Sequence, residues 1–189
     1  MDEIAAFLSR CFTQAPWCYL AWPAVAMLVG TLIGSFSKRD AAQLAIVPRT
    51  GPGLVGLVTS PFVHAGFAHL AANLPPFLVL GVLVLRHGES RFPLVALAIA
   101  LGEGGLLWLF GRRAAHVGMS GVIFGFFGWL IAVAWFTRTT PDLLVAGGVL
   151  LVYGGMLAGL APARKGTSWE GHLFGLIAGI GTAWCQYRL

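Results

Sequence analysis

The chain has 189 residues, of which 58% are hydrophobic and only 10% charged, and its mean hydropathy is +0.82. That balance excludes a soluble globule, whose apolar share lies near ~45–50%, and the length leaves room for several membrane spans of ~20 residues without a separate soluble module. The net charge of +5 is scattered in ones and twos, with no basic stripe and no interleaved aromatics, so nucleic-acid binding has no support.

Residues 1–16 are expected to form a weakly amphipathic leader at the interface. Asp2, Glu3 and Arg10 precede any long apolar run, which does not fit a cleavable signal. Span 1 is expected over about 17–36, anchored by Trp17, Tyr19 and Trp22. The connection 37–60 carries Lys38, Arg39, Asp40, Pro48, Arg49 and a Gly51-Pro52-Gly53 turn. Its apolar pieces are too short to cross, so it is expected to lie half-sunk at the surface. Span 2 follows over about 66–85, with Pro75-Pro76 predicted to kink it just past Asn73. Spans 3 to 6 are expected over about 92–111, 117–136, 143–161 and 169–187. The fold class is therefore all-α: one polytopic domain over 17–189 with six transmembrane helices. Cys11, Cys18 and Cys185 have neither metal-ligand spacing nor an even count, and are expected to be free thiols. His87 and His116 fall in polar connections and are expected to be solvated.

Two glycine stripes stand out. Gly118, Gly121, Gly125 and Gly128 surround Ser120 at spacings of three and four, a seam along which another helix can approach closely. Gly171, Gly175 and Gly179 form a second stripe, with His172 on nearly the same face. If the stripes meet, a histidine reaches a serine inside the membrane. On its own Gly-x-Ser-Gly more often marks packing than chemistry. Short loops, however, make spans 2, 4 and 6 start on one side, which puts His69, Asn73, Ser120 and His172 at similar depth. Polar groups inside spans are costly and tend to mark function.

The residue types then fit acyl chemistry. Ser120 is the candidate nucleophile and His172, as a neutral imidazole, the candidate general base. His69 and Asn73, four apart on one helix face, are candidate oxyanion donors together with the Ser120 backbone N–H. No acid stands where a triad needs one, because Glu170 points away from the face of His172 and Asp142 lies at the opposite membrane face. Glu103, inside span 3, is read as structural. His64 lies off the face of His69, and a loop or structural role fits it better than a catalytic one.

The series His64-x₄-His69-x₃-Asn73, Gly118-x-Ser120-Gly121 and Gly171-His172-x₂-Gly175-x₃-Gly179 resembles the rhomboid family of intramembrane serine proteases in order, spacing and span placement. The resemblance covers spans 2 through 6. It implies a compact six-helix fold, a Ser120–His172 dyad, oxyanion donors at His69 and Asn73, and hydrolysis in or near the helices of transmembrane protein substrates. It also implies that no metal or cofactor takes part, and it gives His64, Gly118, Gly121, Phe124, Gly175 and Gly179 supporting roles. The family's Trp-Arg pair in the first loop is absent, Pro48-Arg49 being nearest, and Phe124 stands where many members carry tyrosine. The implied place is a prokaryotic inner membrane, with cytoplasmic termini and a site opening to the extracytoplasmic side. The positive-inside count runs the other way, with Arg10, Arg86, Arg91, Arg138 and Arg188 inside against Lys38, Arg39, Arg49, Arg112, Arg113, Arg164 and Lys165 outside. The alternative is a noncatalytic rhomboid-like protein that binds membrane helices; a channel or transporter would want polar residues along a full path.

Overall fold

The computed structural model describes residues 16–162 and 168–188. Residues 1–15 of the leader, including Cys11, and the Arg164-Lys165 pair lie outside the described residues. Among the described residues there are six long helices: α1 (Cys18–Phe36), α2 (Phe67–Leu85), α3 (Phe92–Phe110), α4 (Ser120–Thr137), α5 (Thr140–Tyr153) and α6 (Trp169–Arg188). Five segments are long and apolar enough to cross a bilayer, α5 together with its 3-10 continuation Gly154–Leu160. The sixth, α6, has 20 residues but carries Glu170, His172, Gln186 and Arg188 and is less apolar. The chain is thus an all-α integral membrane protein with five to six candidate spans.

α4 is the axis of the bundle. A helix that is apolar all round must be surrounded, and every residue from Gly121 to Leu130 is buried. Its main partner is α6, with α2, α3 and α5 around it. The intimacy of α4 and α6 has a backbone cause. A Cβ on Gly175 would lie 2.7 Å from the Gly121 carbonyl carbon, and one on Gly179 would lie 2.7 Å from that of Gly125. Only bare Cα positions let the two main chains come so close. α5 lies at the periphery, presenting Leu143, Leu144, Leu151 and Val152 outward.

Several boundaries differ from expectation. α4 begins at Ser120, because Gly118 adopts φ +118°, a left-handed conformation that ends the preceding loop in a turn. Gly118 therefore belongs to that turn and not to the helical seam. α5 begins at Thr140, where the Thr139 hydroxyl accepts the Asp142 N–H at 3.4 Å and Pro141 lies in the first turn. It tightens to a 3-10 helix from Gly154. α2 remains helical through Pro75 and Pro76, which have no N–H to donate to the helix.

The ends of α2 and α4 meet the start of α5 around Asp142, which pairs with Arg86 and accepts from Thr137 (2.7 Å) and Thr139 (2.8 Å). His87 is not solvated: it lies edge-on against Trp129 with centroids 4.9 Å apart. The first loop folds into short helical pieces at Lys38–Gln43, Pro52–Leu54, Gly56–Thr59 and Ser60–Phe62. It is stapled to the end of α3, where Arg49 donates to the carbonyls of Trp108 and Leu109 and the Trp108 indole donates to the Thr50 carbonyl. Leu54, Val55 and Val58 point outward from it.

Candidate active site

Ser120 is the first residue of α4 and His172 stands in the first turn of α6, so the glycine contact between these helices also brings their starts together. Ser120 Oγ lies 3.0 Å from His172 Nε2. The other ring nitrogen, Nδ1, lies 3.0 Å from the Gly159 carbonyl oxygen. A carbonyl can only accept, so Nδ1 carries the proton and Nε2 presents a lone pair to the serine hydroxyl. Phe124, one turn further along α4, stacks flat on the imidazole at 4.3 Å with an interplanar angle of 10°. Ring plane and tautomer are therefore both fixed.

Across from this pair stands α2. His69 Nδ1 accepts the Ala65 N–H at 3.4 Å, which leaves the proton on Nε2. That N–H borders Gly118: a Cβ on this glycine would lie 2.9 Å from Nε2 and 2.7 Å from Cε1. Asn73 is buried, and its amide nitrogen donates to the His69 carbonyl at 2.8 Å, which leaves its second N–H for another acceptor. The first N–H groups of α4 have no partner within their own helix, so the Ser120 N–H adds a further donor at this point.

The acids are placed elsewhere. Glu170 pairs with Arg112 at 3.3 Å, and Asp142 is held at the far end of the bundle. Glu103 is buried on α3 in the notch left by two glycines, its Oε1 2.6 Å from where a Gly121 Cβ would stand and 3.3 Å from that of Gly171. With Ser60, His116, Ser120 and Ser168 it lines a cavity of about 10 Å³, the room of one water. His64 is buried beside His69, their rings 5.0 Å apart.

Three residues of the site escaped the sequence reading. Gly159 contributes only a carbonyl, which every residue type owns, so no sequence signal marks it. His116, expected to be solvated, is 4% exposed: it pairs with Ile46 in an isolated antiparallel bridge, donates from Nε2 to the Arg112 carbonyl at 3.0 Å, and accepts at Nδ1 from the Ser168 hydroxyl at 2.7 Å. Ser168 in turn accepts the Gly171 N–H at 3.3 Å and so caps α6 just before His172. A serine just before the first turn of span 6 is a readable capping signal.

Comparison with known proteins agrees with this architecture. Residues 52–189 match the Rhomboid domain family. An uncharacterized protein of Mycobacterium tuberculosis (strain ATCC 25618 / H37Rv) is 41% identical over 163 residues, covering 81% of this chain and 68% of that protein. An uncharacterized protein of Mycobacterium leprae (strain TN) is 38% identical over 140 residues, 69% of this chain and 55% of the relative. Rhomboid-like protein 11, chloroplastic, of Arabidopsis thaliana is 30% identical over 148 residues, covering 70% of this chain and 52% of its own length. With the family match covering well over half of the chain, this chain belongs to the rhomboid family of membrane proteins.

Proposed function

We propose that this chain is an intramembrane serine endopeptidase that hydrolyses peptide bonds in or near the transmembrane helices of other membrane proteins. The observation that carries the reading is the tautomer of His172, whose Nε2 lone pair faces the Ser120 hydroxyl at 3.0 Å while Nδ1–H is held by the Gly159 carbonyl. Ser120 Oγ attacks the scissile carbonyl as its proton passes to Nε2, and the same proton is returned to the departing amine. Water then hydrolyses the ester left on Ser120. The Gly159 carbonyl stabilises the imidazolium in the place an aspartate takes in a triad. The Ser120 N–H, His69 Nε2–H and the free Asn73 N–H receive the oxyanion, each such donor contributing on the order of 10²–10³ in rate.

A substrate helix hides its carbonyls in hydrogen bonds, so it must unwind locally to present one to Ser120, and residues of low helix propensity near the cut are expected. The proposed setting is a bacterial cell membrane, with cytoplasmic termini and a site that opens on the extracytoplasmic side. The direct test is reconstitution in liposomes with a single-pass reporter whose span carries glycine near one end. Wild type is expected to release a fragment and Ser120→Ala none; a folded wild type that binds the reporter without cutting it would favour the noncatalytic alternative.

Two further results are expected. Phe124→Ala removes the flat support of the imidazole and should lower kcat by about tenfold or more, since misplacement by an ångström can cost on the order of 10², whereas Phe124→Leu should lose less. Glu103→Gln fills the same notch between Gly121 and Gly171 without a carboxyl. It should keep turnover within about threefold of wild type, as expected for a hydrogen-bonding filler. Turnover abolished in a folded Glu103→Gln protein would show that the carboxyl takes part in the chemistry.

A further inference from the structure

The turn that delivers Ser120 has no preceding helical turn to hold it, and two bonds from the end of the first loop do so instead. The Gly118 N–H donates to the Ser60 carbonyl at 2.9 Å, and the Met119 N–H donates to His64 Nε2 at 3.4 Å. The second bond requires a lone pair on Nε2. The far side of the ring supplies that condition. The Thr31 hydroxyl, in α1, donates to the Met27 carbonyl at 2.6 Å, so its oxygen is left to accept from His64 Nδ1 at 3.3 Å. That acceptor calls for the proton on Nδ1. The opposite tautomer would set an N–H against the Met119 N–H.

The path is closely packed. Thr31 is fully buried and His64 is 2% exposed. At the neighbouring Gly30, a Cβ would lie 2.9 Å from the Phe62 carbonyl carbon, so α1 and the loop end are in direct contact. Burial pushes the His64 imidazole down to about 4, with the nearby His69 ring acting in the same direction, so it is neutral at neutral pH.

We propose that Thr31 is a positioning residue for Ser120: through His64 it holds the Met119 N–H and hence the angle at which the serine enters α4. The proposal rests on the protease reading above. α1, which contributes no group to the reacting atoms, thereby acquires a role in the chemistry.

The experiment compares wild type with Thr31→Val, which keeps the shape, Thr31→Ala, which keeps the space, and Thr31→Ser, which keeps the hydroxyl. Each is assayed in liposomes for kcat and KM on the single-pass reporter, with helical content and melting followed by circular dichroism. Val and Ala should lower kcat about tenfold with KM unchanged, and Ser should restore it. In parallel, ¹⁵N NMR of imidazole-labelled wild type should report His64 as the neutral Nδ1–H tautomer. A folded Thr31→Val or Thr31→Ala protein with wild-type kcat, a Ser variant as impaired as Val, or an Nε2–H tautomer at His64 would each overturn the proposal. The tautomer is read on wild type, so it decides even where a variant fails to fold. It also decides where the reporter is not cut, an outcome that counts against the protease reading instead.

Discussion

His172→Ala is expected to reduce reporter cleavage by about 10⁴ to 10⁶, the range seen when the base of a serine hydrolase is removed, while the helical bundle stays folded. The size follows from the geometry. Nε2 is the acceptor placed at 3.0 Å from Ser120 Oγ, while Glu170 is engaged by Arg112, Asp142 is fixed at the other end of the bundle, and Glu103 fills the notch between Gly121 and Gly171. The side chain is half-buried and stacked on Phe124, and its loss removes one ring from the periphery of the α4–α6 contact without touching the glycines that make it. His172→Asn should lose a similar factor, because an amide cannot accept and return a proton near neutral pH. Rates on the single-pass reporter, alongside circular dichroism melting, check both halves of the statement. A folded His172→Ala protein within tenfold of wild type would remove the base from the mechanism.

Gly175→Val is the second large effect, and it acts on the fold. The Cβ it introduces would lie 2.7 Å from the Gly121 carbonyl carbon and 3.0 Å from the Gly121 Cα, and main chain within a packed helix pair cannot step aside as a side-chain tip could. Overpacking of a core typically costs about 1–3 kcal/mol, and a clash with backbone belongs at or above the top of that range. Because the same contact sets the spacing of Ser120 and His172, activity should disappear before the protein unfolds. Gly175→Ala should shift both in the same direction by a smaller amount. Gly181→Ala is the control: it lies further along α6, with open space around its Cα, and should be neutral or slightly stabilising through helix propensity. Melting temperature and labelling of Ser120, measured on all three, separate the contact from a general intolerance of α6 to substitution.

Much of the fold can be read from the chain because bilayer-spanning segments obey one length rule and one composition rule. The long apolar runs therefore locate the helices to within a few residues. Boundaries fail where a conformational choice overrides composition. Val117 to Met119 is apolar enough to extend α4, but Gly118 in a left-handed turn starts the helix at Ser120. Thr139 and Pro141 begin α5 earlier than hydropathy alone would, and their capping chemistry is legible in the sequence. At the site, side chains that carry chemistry announce themselves by spacing, as Ser120 and His172 do. Main-chain partners such as the Gly159 carbonyl carry no such mark. His116 shows the remaining difficulty: a histidine in a polar connection looks solvated until the fold brings Ser168 and the Arg112 carbonyl to its two nitrogens. Thr31 is a similar case, since a threonine in an apolar span usually bonds its own helix, and only the position of His64 gives its hydroxyl a second task.

The proposed chemistry requires Ser120 to be an activated nucleophile. Reaction of the purified protein in liposomes with a fluorophosphonate, followed by mass spectrometry of the peptide that contains residue 120, measures this without knowledge of any substrate. A single adduct on Ser120, absent in Ser120→Ala and strongly slowed in His172→Ala, is the predicted result. A folded wild-type protein that remains unmodified, or an adduct that persists in Ser120→Ala, would contradict it.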